Sequence, residues 1–245
     1  MKNKNYTIKV CLMAVLLFLA NVVSAQNFER KAKSGNVQAQ VELAKQYYSG
    51  IGQLQNYKQA LVWFEKAAKG GNVDAMYQAA TMREEGKGCE ANIREAFNYY
   101  LKAAERGNIP SQIKVAMMYE QGQGTVKSEA RAYLWYRVCA DRDDILACRK
   151  VGDYYAEGNV VGKDHTEAKL WYEKALSAAG KDTSVMSFTN NDVVWNGQKI
   201  NEAIIVLTNL AHLYTADEGL APNPDKAEEL LKEAKSLSAL VEKAK

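Results

Sequence analysis

Two histidines are the first residues to consider for catalysis, because imidazole serves as a general acid, a general base and a metal ligand. His165 follows Asp164 at the predicted start of a helix, a position that is ordinarily solvent-exposed. His212 lies on an apolar predicted helix, and the pattern places no nucleophile and acid beside either histidine. We therefore expect neither histidine to be catalytic.

The acidic and glycine-rich motifs also lack catalytic spacing. Glu84–Glu85 and Asp143–Asp144 fall at predicted helix ends and in turns, where paired carboxylates are ordinarily solvated. The Gly-x-Gly pairs lie in helix-to-helix turns rather than after a strand, unlike nucleotide-binding loops. The sequence contains no Gly-x-Ser-x-Gly, His-Glu-x-x-His or phosphate-binding-loop motif. The prediction is a protein with no enzymatic activity, no catalytic residue and no cofactor.

Three cysteines fall within the region of predicted helices. Cys139 and Cys148 are nine residues apart across a predicted helix turn, where two free thiols would pack like small apolar residues. Cys89, in another turn, is either a free thiol or an intermolecular link. Because there is no Cys-x-x-Cys motif and no Cys/His cluster, no metal site is predicted.

The elements that position these residues recur every 36 residues. One column of the repeat holds glycine and another holds alanine, at Gly50, Gly86, Gly122 and Gly158 and at Ala60, Ala96, Ala132 and Ala168. A third column is aromatic, at Trp63, Tyr99, Trp135 and Trp171. A period of this length is typical of stacked helical hairpins rather than of a single closed core. The predicted fold class is all-α, an α/α superhelical solenoid of helix-turn-helix repeats, each with a helix A and a helix B.

Helix boundaries are marked at the same period. Helix B of each repeat is predicted to begin at a polar residue whose side-chain oxygen accepts a free backbone amide, at Asn56, Asn92, Ser128 and Asp164. Helix A is predicted to end at the glycine column, since glycine adopts the left-handed conformation without a side-chain clash.

The repeat pattern gives the domain organisation. A lone helix over 27–36 is predicted to cap the array at its start, and four repeats follow at about 38–72, 74–108, 110–144 and 146–180. A last repeat, about 203–243, aligns at an offset of 59 residues, which places Tyr214 in the column of Tyr155. The longer offset indicates an insertion at about 181–202. The whole predicted solenoid covers 26–245.

The first 25 residues fit a secretory signal peptide. Three lysines precede an apolar run over 10–20, and small residues at 23–25 suit cleavage between Ala25 and Gln26. A membrane anchor needs about 20 apolar residues, so the run is short for one. We expect a secreted or periplasmic protein with no membrane insertion after cleavage.

Cleavage would leave the chain neutral. Of its 32 Lys+Arg, three lie in the predicted signal peptide, which leaves 29 against 29 Asp+Glu. A neutral chain has no global attraction to nucleic acid or to an anionic membrane, so neither is a predicted partner.

The first repeat carries a resemblance to a known family. Ala39-x-x-x-Leu43-Ala44-x-x-Tyr47-x-x-Gly50, followed by Ala60-x-x-Trp63-Phe64-x-x-Ala67-Ala68-x-x-Gly71, resembles the Sel-one-like repeat family, relatives of the tetratricopeptide repeats. The resemblance implies a non-enzymatic adaptor or scaffold, often in secreted or membrane-associated bacterial complexes. The chain also looks like the cysteine-rich secreted subgroup, which implies a disulfide between Cys139 and Cys148.

The resemblance further implies a binding face. In tetratricopeptide-related solenoids, ligand contacts come mainly from helix A residues on the concave side. The matching columns hold Val41, Lys45, Tyr48, Tyr77, Thr81, Glu84, Ile113, Met117, Glu120, Arg149 and Asp153. This mixture of aromatic, apolar and charged side chains suits an extended peptide or a partner helix, whereas the alternative is a set of ordinary solvent-facing positions.

The insertion is the second candidate interaction segment. It is poor in charge and contains Phe188 and Trp195. It either packs back on the array as a lid or serves as a recognition loop.

The leading hypothesis is therefore a protein- or peptide-binding scaffold of the cell envelope that acts through the concave helix A face. The alternative is a protein that binds or hydrolyses cell-wall fragments or β-lactams, since the cysteine-rich subgroup has been linked with β-lactam binding. The chain lacks the Ser-Asp-Asn and Lys-Thr-Gly motifs that accompany an acylating Ser-x-x-Lys in enzymes that react with β-lactams. Neither the partner nor the oligomeric state is indicated by the sequence.

Overall fold

The computed structural model describes residues 29–52, 54–181, 193–215 and 220–243, and no strand occurs among them. The predicted signal peptide and Phe188 lie outside these residues. The helices in chain order are α1 (29–33), α2 (Val37–Ser49), α3 (Tyr57–Lys69), α4 (Val73–Glu85), α5 (Ile93–Glu105), α6 (Ile109–Gln121), α7 (Glu129–Ala140), α8 (Ile145–Glu157), α9 (His165–Lys181), α10 (Val193–Thr215) and α11 (Pro224–Lys243).

The predicted all-α fold of helix-turn-helix repeats is confirmed. The pairs α2–α3, α4–α5, α6–α7 and α8–α9 each occupy one period, and α10–α11 form the last pair. The chain forms two compact units. Unit 1 runs to Ser111 and includes Gln123–Thr125, and unit 2 comprises Gln112–Gly122 and the chain from Val126 onward.

Unit 1 is held together by small residues at its helix contacts. Ala60 and Ala67 of α3 are fully buried, as is Ala103 of α5. Trp63 and Phe64 belong to the same buried cluster and are 6% and 2% exposed. Alanine at a contact lets two helices approach closely, at the short end of the usual 8–10 Å range of interaxial distances. The alanine column therefore sets the spacing of the hairpins.

Unit 2 repeats this arrangement, with tyrosine in the column of Phe64. Ala132 and Ala168 are fully buried, and Tyr136 and Tyr172 are among the largest buried side chains. Cys139 stands in the column of Ala67 and Ala103 and is likewise fully buried, because a thiol is small enough for that position.

α10 begins inside the segment predicted as an insertion. Residues 193–202 are helical and continue into helix A of the last repeat. Within this stretch Ile200 is fully buried, with Leu237 and Val241 of α11 packed against it. Residues 182–192 lie outside the described residues, and of Trp195 only the helical backbone is described.

The predicted helix B caps are confirmed. Each capping side chain accepts a hydrogen bond from the backbone amide three residues later, at 3.0 Å for Asn56, Asn92 and Asp164 and at 3.4 Å for Ser128. Helix A begins in the same way, with caps at Asn36, Asn72, Asn108 and Asp144. Each cap satisfies an amide that the first helical turn leaves unpaired.

In the second and third repeats, the second glycine of the turn joins consecutive repeats. Gly88 has a φ of 82° and Gly124 a φ of 68°, in the left-handed region. A Cβ on Gly88 would meet the carbonyl oxygen of Tyr57 at 2.4 Å, and a Cβ on Gly124 would meet that of Ile93 at the same distance. Only glycine therefore allows the turn of one repeat to rest on the start of helix B in the repeat before it.

Candidate functional site

A groove lies between α2 and α4 in unit 1 and is called here the α2/α4 groove. Its volume is about 570 Å³, within the range of about 300–1,000 Å³ that is typical of ligand pockets. Its lining comes from α2, the turn after it, α3 and the first half of α4, namely Val41, Lys45, Tyr48, Ser49, Ile51, Phe64, Asp74, Ala75, Tyr77 and Gln78.

Four residues of the predicted concave face contribute to this lining. Val41 is 4% exposed and, with Phe64, forms the apolar floor. Tyr48 and Tyr77 are half-buried, and the side chain of Lys45 is 60% exposed. The sequence-predicted residues of the first two repeats therefore gather partly around one open volume.

The two groove tyrosines are each supported from behind. The Tyr48 ring packs edge-on against Tyr57 with centroids 5.2 Å apart, and its hydroxyl accepts a hydrogen bond from Lys87 Nζ at 3.1 Å. The Tyr77 ring packs against Tyr100 with centroids 5.8 Å apart. These contacts fix both rings and leave part of each ring to line the groove.

The remaining predicted residues of unit 1 take part in internal hydrogen bonds. The Tyr100 hydroxyl donates to Glu84 Oε2 at 2.8 Å and lies 3.1 Å from Thr81 Oγ1. Burial raises the pKa of Tyr100, so the phenol keeps its proton and remains a donor. One period earlier, Phe64 and Tyr48 replace Tyr100 and Glu84, and phenylalanine has no hydroxyl to donate. That difference leaves Tyr48 at the groove.

Several groove residues are not predicted by the helix A columns. Asp74 and Gln78 come from the next helix A, at 33 and 37 residues after Val41. The signal that could find them is the period itself, because the first turn of one helix A packs beside the preceding helix A. Phe64 is a helix B residue whose side chain reaches the floor from below.

In unit 2, the third repeat uses its predicted binding residue internally. Glu120 accepts a hydrogen bond from the Tyr136 hydroxyl at 3.1 Å and forms an ion pair with Lys150 Nζ at 2.8 Å. Burial, together with the negative charge of Glu120, raises the pKa of Tyr136. Ile113 and Met117, the other two predicted residues of this repeat, are half-buried.

The fourth repeat is closed by a charged network, called here the α8/α10 junction. Arg149 binds Glu202 of α10 through Nε at 2.6 Å and Asp153 through Nη1 at 2.7 Å. Asp153 also accepts hydrogen bonds from Asn209 at 2.9 Å and from the Tyr172 hydroxyl at 2.8 Å. Burial raises the pKa of Asp153, and the side chain of Arg149 is only 12% exposed. Both predicted binding residues of this repeat are thus engaged within unit 2.

The disulfide implied for Cys139 and Cys148 is not present, and both thiols are free. Each has its own acceptor, since Cys139 donates to Gln112 Oε1 at 3.6 Å and Cys148 donates to the Ala140 carbonyl at 3.5 Å. Burial raises the pKa of Cys139 to about 12 and that of Cys148 to about 11. The structure therefore contains the alternative, two buried thiols.

The part of the chain that the structure describes contains no cluster of three or more His, Cys, Asp or Glu side chains suited to a metal ion.

The expectation that His165 is solvated is wrong, because its side chain packs at the start of α9 and is 7% exposed. None of the described helices combines the length and apolar character needed to cross a membrane.

Comparisons with known proteins identify the repeat. A family model described as the Sel1 repeat matches residues 37–72, 73–108, 109–144, 145–179 and 206–238. Among solved structures, the chain is similar to a protective antigen present in uropathogenic Escherichia coli strains that displays an SLR fold, with 25% identity and a TM-score of 0.58. The match covers 86% of this chain and 48% of the antigen, so the chain spans about half the antigen's length.

A second solved structure matches over most of both chains. It is a Sel1 repeat protein from Oxalobacter formigenes, with 24% identity, a TM-score of 0.56 and coverage of 89% of this chain and 96% of that one. At this identity the likeness supports the fold alone. No match was found among the curated proteins.

Proposed function

The chain belongs to the Sel1 repeat family, and from that premise we propose that it is a non-catalytic scaffold that binds a protein partner through the α2/α4 groove. Sel1 repeat proteins typically act as protein-interaction scaffolds. The proposed partner inserts an exposed peptide segment, with an apolar side chain against the floor formed by Val41 and Phe64.

The observation that carries this proposal is the open groove itself. Its floor is apolar, two tyrosines held from behind form its walls, and its edges are charged. Rigid aromatic side chains bind a partner at a low cost in conformational entropy and are enriched among residues that dominate binding energy. The equivalent helix A positions of the fourth repeat are engaged by Glu202 and Asn209, which favours the groove over that repeat.

The groove chemistry favours binding over catalysis. Its lining contains no histidine or cysteine. The lone serine, Ser49, donates its hydroxyl hydrogen to the backbone carbonyl of Lys45 at 2.9 Å rather than to a base. A serine nucleophile requires a base that takes its proton, and a backbone carbonyl does not serve as one.

The alternative of a cell-wall-fragment or β-lactam binding protein or hydrolase is supported by neither the groove nor the comparisons. A labelled β-lactam should therefore leave no covalent adduct on the purified chain, as read by intact-mass spectrometry.

The binding proposal is tested by photo-cross-linking. Nine-residue peptide pools that carry a benzophenone group are irradiated with the purified chain, and mass spectrometry after digestion locates the adducts. We expect adducts on α2 and α4. Tyr77→Ala should weaken binding about tenfold, because it removes one aromatic wall.

The matched control is Tyr155→Ala. Tyr155 is also a half-buried helix A tyrosine that packs against one other ring, Tyr133, at 6.4 Å, but it does not line the groove. It should leave binding unchanged. Adducts on other helices, or equal losses in the two variants, would remove the groove as the binding site.

Localisation to the cell envelope is a further part of the proposal and is supported by the signal-like pattern of residues 1–25. Cells that express the full sequence are fractionated, and the intact mass of the product is measured. A chain that begins at Gln26 in the periplasm or medium is expected. A full-length product confined to the cytoplasm would rule this location out.

A further inference from the structure

Lys45 of the α2/α4 groove lacks the buried polar partners that the equivalent residue of the fourth repeat has. Lys45 lies three periods before Asp153 and occupies the same column of helix A. Asp153 receives hydrogen bonds from Arg149, Asn209 and Tyr172. Among the described residues, Lys45 forms an ion pair with Glu42 at 3.4 Å on the same exposed face, and such a pair contributes little.

Asp74 contributes the opposite charge from α4. It is exposed, lies in the first helical turn and forms no ion pair among the described residues. The first turn of a helix favours a negative charge, so the carboxylate of Asp74 suits this position without a cationic partner. The groove therefore has a cation from α2 and an anion from α4, and these two charges do not neutralise each other.

A partner that covers the groove must satisfy both charges. Covering an ionised side chain removes part of its hydration, and that cost is recovered only if the partner supplies an opposite charge. Covering the floor of Val41 and Phe64 requires an apolar group between them. A purely apolar segment would cover the floor but would leave both charges without a partner.

We propose that the groove selects a mixed-charge peptide segment, with an apolar side chain on the floor, an acidic side chain at Lys45 and a basic side chain at Asp74. This inference rests on the proposed function and specifies the chemistry of its ligand. The α8/α10 junction supports it, because Asp153, in the column of Lys45, is held there by a cationic, an amide and a hydroxyl side chain rather than by apolar ones. Each satisfied charge is expected to tighten binding about threefold to fivefold at low salt.

The test uses four pools of nine-residue peptides with a central phenylalanine and a neutral dye. Charged residues two or three positions to either side of the phenylalanine are Glu and Lys in both orders, Glu and Glu, Lys and Lys, or Gln and Gln. Fluorescence anisotropy gives the Kd of each pool at low, physiological and high salt. The mixed pool is expected to bind most tightly, with an advantage that shrinks as salt rises.

Charge-reversal variants test each residue. Lys45→Glu should shift the preference to the Lys–Lys pool, and Asp74→Lys should shift it to the Glu–Glu pool. The controls are Lys58→Glu and Glu105→Lys, which reverse exposed charges outside the groove and should leave the mixed pool preferred. Circular dichroism verifies that each variant is folded.

The outcomes separate this inference from the proposed function. Equal Kd values for all four pools would overturn the charge selection and leave the peptide-binding groove in place. A preference that neither charge reversal changes would overturn it as well. If no pool binds the wild-type chain, both the inference and the proposed function fail.

Discussion

Lys45 in unit 1 and Asp153 in unit 2 occupy the same position of the repeat in opposite surroundings. Lys45 stands at the edge of an open groove, whereas Asp153 is held by three side chains of its own unit. The backbone arrangement of helix A is the same in both repeats. Two of these three side chains, Arg149 and Tyr172, belong to the same repeat as Asp153, and the first repeat has Val41 and Phe64 in their place. The third, Asn209, comes from α10, which also supplies Glu202 to Arg149.

The repeat therefore fixes where helix A side chains lie but not whether they are available to a binding partner. Availability depends on a few residues of the same repeat and of the next one. The next repeat contributes Asp74 and Gln78 in unit 1, where the groove is open, and Glu202 and Asn209 in unit 2, where the junction is closed. The proposed binding surface is therefore confined to one pair of helices, α2 and α4.

The largest expected contrast between the two units is in thiol reactivity. At pH 8 a thiol with a pKa of about 11, such as that of Cys148, is thiolate about two-hundredfold less often than an ordinary cysteine. Cys89 of unit 1 is half-buried and should react with a disulfide reagent at least a hundredfold faster than Cys139 and Cys148.

The reaction is followed by absorbance and by mass mapping. Denaturation should release Cys139 and Cys148 as two further reactive thiols. If only Cys89 reacts in denaturant and reduction is needed to expose the other two, the chain in solution carries the disulfide and the free-thiol description is wrong.

The next largest effect is expected from opening the α8/α10 junction. Arg149→Ala should lower the free energy of unfolding by about 3 kcal/mol, because it leaves the carboxylates of Asp153 and Glu202 partly buried without their cation. Urea unfolding followed by circular dichroism measures the loss. The control Arg94→Ala, at an exposed site on α5, should cost less than about 0.5 kcal/mol. Similar losses in the two variants would show that the junction adds no stability.

A smaller effect is expected from removing one donor of that network. Tyr172→Phe deletes the hydroxyl that donates to Asp153 at 2.8 Å and should cost about 1 kcal/mol. Tyr99→Phe is the control, since Tyr99 is a half-buried helix B tyrosine with no hydrogen bond to a carboxylate among its contacts. A Tyr172→Phe variant as stable as wild type would mean that the hydrogen bonds from Arg149 and Asn209 are sufficient for the carboxylate of Asp153.

The smallest effect is expected at the open groove. Lys45→Ala should change the free energy of unfolding by less than about 0.5 kcal/mol, because its pair with Glu42 is exposed. Lys150→Ala in unit 2 should cost about 1 kcal/mol, since Lys150 and Glu120 are 24% and 26% exposed and lie 2.8 Å apart. A larger cost at Lys45 than at Lys150 would reverse the assignment of open and closed repeats.

Most helix boundaries could be predicted from the sequence because their signals are local. Asn56 and Asn92 each lie within three residues of the amide that they cap, so the residue type alone indicates the helix start. The 36-residue period supplied the fold class in the same way, since each hairpin repeats the same side-chain requirements.

The ion pair formed by Arg149 could not be predicted in this way. Its partner Glu202 is 53 residues further along the chain, beyond a segment without the repeat pattern. Two charged residues at that separation carry no local signal of their pairing. The state of the two thiols could not be predicted for a related reason, because nearness of Cys139 and Cys148 in sequence does not fix the direction in which either sulfur points.

The glycine contact between repeats has a consequence for how such chains grow. Gly88 contacts Tyr57 and Gly124 contacts Ile93. In each of these joints, the glycine therefore lies 31 residues after the residue that it contacts. A duplicated segment of one period carries one half of a joint at each of its ends. Gene duplication can therefore lengthen the array by whole hairpins without any compensating mutation. A partial duplication would leave a turn glycine without the helix B residue that it contacts.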